Sequence, residues 1–163
     1  MTSNHYIIDT SSLVELTRHN PIDVFPSVWN NLEFLSKGHL LVAPIEVLSE
    51  VKERDDELAS WAKRNKSIFI PPTKKQIEIL KDILKNYPAL VKENRKYDAD
   101  AWVVALAVEM AMGIQQTLDQ IKRIVVTEEK LRGNKIRIPY VCNKYSIESI
   151  SIIEMFRVEG WKF

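Results

Sequence analysis

The chain has little of what several familiar chemistries require. Its one cysteine, Cys142, can form no internal disulfide and cannot build a cysteine zinc site, so a reducing compartment is expected. Only four glycines are present, and they form neither a G-x-x-x-x-G-K-[ST] phosphate loop nor a G-x-G-x-x-G turn; a G-x-S-x-G elbow is absent too. His5, His19 and His39 are scattered, with no nucleophile to pair with, and surface or capping roles are expected of them. The most apolar stretch, Ala101 to Val108, ends at Glu109, far short of the roughly 20 residues a membrane-spanning helix needs. Met1 to His5 has no basic region leading into an apolar core, so no secretory leader is expected. Charge of one sign is also missing: 23 Lys and Arg against 22 Asp and Glu leave a formal +1. A nucleic-acid partner would have to be met by local basic patches. The expectation is a soluble, cytoplasmic protein.

What is present is an ordinary globular balance. The chain has 163 residues, 45% hydrophobic and 28% charged, which fits one domain spanning 1–163 and excludes disorder as the main state. Tyr6-Ile7-Ile8 is a short apolar run ending at Asp9, as suits a central parallel strand buried on both faces. Ser12 and Glu15 have capping-box spacing, which predicts a helix from Ser12 to the His19-Asn20-Pro21 stop. Phe25, Val28, Trp29, Leu32 and Leu35 form the apolar stripe of a second helix, with Gly38 as its C-terminal cap. Leu40-Leu41-Val42 predicts a strand and Pro44 the first turn of a helix, whose inner face carries Val47, Leu48 and Val51.

Ser67 to Ile70 is the third strand candidate. Thr73 and Gln76 open another helix, with Ile77, Leu80 and Leu84 facing inward. Pro88 to Lys96 predicts a loop or short helix. From Asp98 to about Gly113 a helix is apolar almost all round, and so should be deeply buried. Ile124 to Thr127 predicts the fourth strand and Ile136 to Cys142 the fifth, placed at a sheet edge by Pro139. A last helix is expected from about Ser146, carrying Ile150, Ile153 and Phe156, to about Gly160. Strands alternating with helices imply a three-layer α/β/α fold around a mostly parallel five-stranded sheet. Strand 1 should be central with strand 4 beside it. Ligands bind at that switch point, at the carboxyl ends of the strands.

Carboxylates fall at that place. Asp9 ends strand 1, and Glu128 and Glu129 follow Thr127 at the end of strand 4. Asp100 opens the buried helix, and Glu50 lies in the helix after strand 2. Acids converging on one crevice repel one another and lose solvation, so they persist together when a cation offsets them. Hard oxygen donors with few histidines favour Mg²⁺ or Mn²⁺ over zinc. Each residue also has an ordinary reading. Asp98 suits an N-cap and Asp100 a helix-dipole partner. Glu46 and Glu50 suit a solvated helix face, and Glu128 and Glu129 a surface turn. Asp9 has few such uses at the end of a buried strand. Lys92, Arg95 and Lys96 before Asp98, and Lys130, Arg132, Lys135 and Arg137 after Glu129, suit phosphate contacts or solubilising loops equally. Trp29, Trp61 and Trp102 suit packing better than base stacking. Asp9-Thr10-Ser11 differs from aspartate-nucleophile phosphatases, which place a second acid where Ser11 stands.

In order and spacing the chain resembles the PIN-domain family, which includes bacterial toxin ribonucleases and eukaryotic RNA-processing nucleases. "YIIDTSSLVEL" is similar to that family's first strand, with Asp9 as first metal ligand and Ser11 as the associated hydroxyl. "VAPIEVLSEV" is similar to its second motif, with the acid on Glu50 and Glu46 as substitute. "DADAWVVALA" is similar to the third, with the acid on Asp100 and Asp98 assisting. "IVVTEEK" is similar to the fourth, with Glu129 best placed and Glu128 next, where many members carry Asp or Asn. "IPYVC" and "MFRVEGWKF" resemble an uncharacterised bacterial and archaeal PIN-like group. The resemblance implies an endoribonuclease using Mg²⁺ or Mn²⁺ held by Asp9, Glu50, Asp100 and Glu129, with Ser11 and Thr127 supporting. RNA would be the substrate, and a toxin–antitoxin pair and a homodimer are further implications. The competing expectation is a non-catalytic PIN-like module that binds RNA or a protein.

Overall fold

The computed structural model describes residues 2–54, 56–113 and 120–163. Five strands form one parallel sheet: β1 (Thr2–Ile8), β2 (Leu41–Pro44), β3 (Phe69–Ile70), β4 (Gln120–Val126) and β5 (Glu148–Ile150), in the order β3-β2-β1-β4-β5. β1 pairs with β4 from Thr2–Gln120 through Ile8–Val126, and with β2 at Tyr6–Leu41 and Ile7–Val42. The described helices are α1 (Thr10–His19), α2 (Pro26–Lys37), α3 (Ile45–Arg54), α4 (Asp56–Arg64), α5 (Lys74–Asn86), α6 (Asp100–Met112), α7 (Ile138–Lys144) and α8 (Ile152–Val158). α1, α3 and α4 pack together, as do α5, α6 and α7, which gives the expected three layers. None of the described helices is long and apolar enough to cross a membrane.

The core follows from the apolar strands and from α6. Tyr6, Ile7, Ile8, Val125 and Val126 are fully buried, as are Val103, Val104, Ala105 and Ala107 on α6. The Trp29 and Trp61 rings meet edge to face at 4.9 Å inside it, so these two tryptophans are packing residues.

Several boundaries differ from the sequence expectation. The segment expected as the fifth strand is α7. Pro139 sits in the helix's first turn, where a missing N–H costs nothing, and buried Ile138, Val141 and Cys142 lie at helical spacing. The fifth strand is Glu148–Ile150, so Ile150 belongs to the sheet. The last helix begins at Ile152, where Ser151 and Glu154 form a capping box, and Ile153 is exposed. α1 begins at Thr10, two residues early, because the chain turns directly out of β1 at Asp9 and Ser12 donates elsewhere. Gly38 follows α2 without left-handed geometry; His39 takes the positive φ of 58° instead. Ser67 and Ile68 form a 3-10 turn, which leaves β3 two residues. α5 turns Gln76, Ile79, Leu80 and Ile83 inward while Ile77 is exposed. α4 carries buried Leu58, Trp61 and Ala62 and had no counterpart in the periodicity reading.

Candidate metal centre

Asp9 closes β1 at the switch point. Its amide donates to the Val126 carbonyl at 2.8 Å, so strand pairing itself fixes where the side chain starts. The residue is 2% exposed. Oδ2 accepts the Ser11 hydroxyl at 2.7 Å and the Thr127 hydroxyl at 3.1 Å. Burial pushes the Asp9 pKa up; the Ser11 bond opposes this, Glu129 adds to it and Thr127 opposes it.

Asp100, 4% exposed, is the first residue of α6. Burial pushes its carboxyl up to about 8; Asp9 and Glu129 add to the rise and Lys92 opposes it. Glu50 reaches in from α3, also 4% exposed. Its Oε1 accepts the Ala99 amide at 2.8 Å. Burial raises its pKa, the Ala99 bond lowers it, and Asp9 raises it further. Asp9, Glu50, Asp100 and Glu129 thus come from four separate segments into one electrostatic neighbourhood. Cys142, buried on α7, lies within reach of the same field. Burial pushes its thiol up to about 12, and Asp9 and Glu129 contribute.

The paired candidates separate. Glu129 directs Oε2 to the Ile138 amide at the start of α7, 3.0 Å away, while Oε1 lies 3.4 Å from the Lys92 ammonium. Glu128 turns away from the acids. Its Oε1 accepts the Ser12 hydroxyl at 3.0 Å and the Ile152 amide at 2.9 Å, so it ties α1 to the start of α8. On α3, Glu50 is in the cluster. Glu46 is only part-buried, and its buried Oε2 has no hydrogen-bond partner among the described residues; burial raises its pKa.

Asp98 has a larger part than a helix cap. Its Oδ1 accepts the Asp100 amide at 3.1 Å and its Oδ2 the Lys92 amide at 2.7 Å. Glu50, Asp98 and Asp100 each present an oxygen within 4.8 Å of the other two. Ala99, the residue before α6, has no side chain that can cap it, and Asp98 accepts the helix's first amide instead.

Of the basic residues, Lys92 reaches inward, 3.3 Å from Asp100 Oδ2. Periodicity could not reveal this, because the residue lies in an irregular loop. Arg95 lines a small cleft with Glu50 and Arg54. Lys96 pairs with Glu53 at 3.4 Å, and Lys130 and Arg132 are exposed. Beside the acids, an open cleft of about 690 Å³ runs from Thr127 and Glu129 past Lys130 and Asn143 to Arg157.

The donor set is all carboxylate, which fits a hard divalent cation such as Mg²⁺ or Mn²⁺. The raised pKa values of Asp9, Glu50 and Asp100 mark acids whose burial, with the carboxylates nearby, outweighs what local hydrogen bonds offset. A family model described as "Domain of unknown function (DUF4411)" matches residues 6–163, the span holding every residue of this centre. Neither a curated protein nor a solved structure matches the chain. The family match covers nearly the whole sequence, and the chain belongs to the DUF4411 family of domains of unknown function.

Proposed function

We propose that the protein is a cytoplasmic endoribonuclease of the PIN type that depends on Mg²⁺ or Mn²⁺. The observation that carries this reading is the burial of Asp9 and Asp100 at the carboxyl end of the central strands, each with a raised pKa and each feeling Glu129. Asp9, Glu50, Asp100 and Glu129 would hold the ion. A divalent cation bound there lowers the pKa of a water and offsets charge developing on a phosphoryl group. Ser11 and Thr127 hold the Asp9 carboxylate in place. Asp98 fixes the loop carrying Lys92. Lys130 and Arg132, exposed after Glu129, suit phosphate contacts. RNA is the substrate that the PIN resemblance implies, and flexible single strands present a phosphodiester in line more readily than a duplex does. A protein antitoxin and a second copy of the chain are the partners to look for.

The test is cleavage of a panel of single-stranded and loop-containing RNAs with Mg²⁺ or Mn²⁺. EDTA should stop it, and Asp9→Asn and Asp100→Asn should each remove nearly all activity. Glu15→Gln should leave cleavage intact, because Glu15 pairs with His19 along α1. The ion pairs of Lys92 with Asp100 and Glu129 favour a second reading, a non-catalytic module in which two of the acids already have a cationic partner. Binding of RNA regardless of metal, with no cutting anywhere in the panel, would establish that second reading instead.

A further inference from the structure

The acidic centre has a cation of its own. Lys92 lies in the loop between α5 and α6, and Asp98 sets where its side chain starts. One Asp98 oxygen accepts the Lys92 amide and the other accepts the Asp100 amide, so a single carboxylate ties the loop to the first turn of α6. From that anchor the ammonium lies 3.3 Å from Asp100 Oδ2 and 3.4 Å from Glu129 Oε1. It therefore bridges two carboxylates from different segments, both of which would serve as ligands in the metal reading. The Asp100 side chain is 5% exposed and the Lys92 side chain 43%, so the ammonium enters from the solvent side. Its flexible four-carbon stem, unlike a planar guanidinium fork, can withdraw without disturbing the fold.

We propose that Lys92 is a displaceable resident cation of this centre, which competes with a divalent ion for Asp100 and Glu129. The inference rests on the metal reading above and assigns Lys92 a role within it. In metal-free protein the ammonium offsets part of the repulsion among the acids. Uptake of an ion requires it to move out.

The experiment is a calorimetric Mn²⁺ titration of the wild type and of Lys92→Met, Lys92→Arg and Lys96→Met. Lys96→Met removes the same charge from the same loop, but at a residue paired with Glu53. Two half-exposed ion pairs are worth enough that Lys92→Met should bind Mn²⁺ about tenfold more tightly than the wild type. Lys92→Arg should stay within about threefold and Lys96→Met within about twofold on the same scale. The metal-free Lys92→Met protein should also melt lower than the wild type, with Mn²⁺ closing the gap; Lys92→Gln repeats the measurement with a polar side chain should the methionine disturb the loop. Equal or weaker Mn²⁺ binding by Lys92→Met overturns the inference and leaves the metal reading standing. Equal tightening in Lys96→Met also overturns it, since the effect would then be one of net charge. Absence of Mn²⁺ binding in every variant removes the metal reading and this inference together.

Discussion

The hydroxyls of Ser11 and Thr127 lie 3.2 Å apart, and both donate to the same oxygen of Asp9. One comes from the first turn of α1 and the other from the residue after β4. Thr127→Val removes one donor at nearly constant shape and should cost about 1 kcal/mol in urea denaturation without metal. Ser11 accepts the Glu128 amide just as Thr127 accepts the Glu129 amide, so Ser11→Ala should cost a similar amount, about 1 kcal/mol. Because both act on one oxygen, the double variant should deviate from additivity. Strict additivity would show that the two hydroxyls act independently.

Without metal, the centre should make stability depend on pH in an unusual direction. Asp100 is raised from 3.8 to about 8, so between these values the folded protein holds a proton that the unfolded chain has lost. The contribution is present below pH 4 and is lost as pH rises toward 8. Metal-free protein should therefore melt lower at pH 8.5 than at pH 6, and Mn²⁺ should narrow the difference by binding the ionised folded form. A metal-free melting temperature that rises over this range would contradict the burial of Asp100 beside the other acids.

Asp9→Asn should test repulsion directly. Asparagine's carbonyl oxygen can still accept from Ser11 and Thr127, and one buried charge is gone. The metal-free variant should melt at or slightly above the wild-type temperature and lose most of the stabilisation by Mn²⁺. A large fall without metal would make Asp9 a structural hydrogen-bonding residue.

Glu128 and Glu129 should divide stability from chemistry. Glu128→Ala leaves the Ile152 amide and the Ser12 hydroxyl without their acceptor, which should cost about 1–2 kcal/mol. RNA cleavage by the folded Glu128→Ala variant should persist. Glu129→Gln can keep the bond to the Ile138 amide but should weaken Mn²⁺ binding and cleavage strongly. The reverse pattern, loss of cleavage in Glu128→Ala alone, would exchange their roles.

Cys142 should be inert in the native state. It is fully buried, and its thiol is pushed up to about 12, so little thiolate exists at neutral pH. Disulfide and alkylating reagents should modify it only at the rate of unfolding. Rapid modification in native buffer would show that α7 opens locally.

Much of this was legible in the sequence because the buried elements carry strong local patterns. The Tyr6–Ile8 and Ile124–Val126 runs place β1 and β4, and the apolar α6 places Asp100 at its start. Ile136–Cys142 misled because proline can mark either a strand edge or a helix's first turn, and short apolar runs fit both periods. β5 has exposed and half-exposed residues only, so it offers no strong apolar run. The choice between Glu128 and Glu129 was not legible, since it depends on Glu129 accepting the first amide of α7 and Glu128 the first amide of α8. Lys92 was hidden for a related reason: its place is set by Asp98 through loop hydrogen bonds that have no period.

The pairing of β1 with β4 has a consequence for biosynthesis. Asp9 and Thr127 are 118 residues apart in the chain, and β1 can align with β2 long before β4 emerges from the ribosome. At usual elongation rates that delay is on the order of ten seconds. Throughout it, one edge of β1 has no β4 to cover it, and Glu129 has yet to join Asp9. A nascent chain therefore carries an open apolar strand edge, the kind of surface that holding chaperones protect. The acidic centre comes into existence only once synthesis has passed β4 and Glu129.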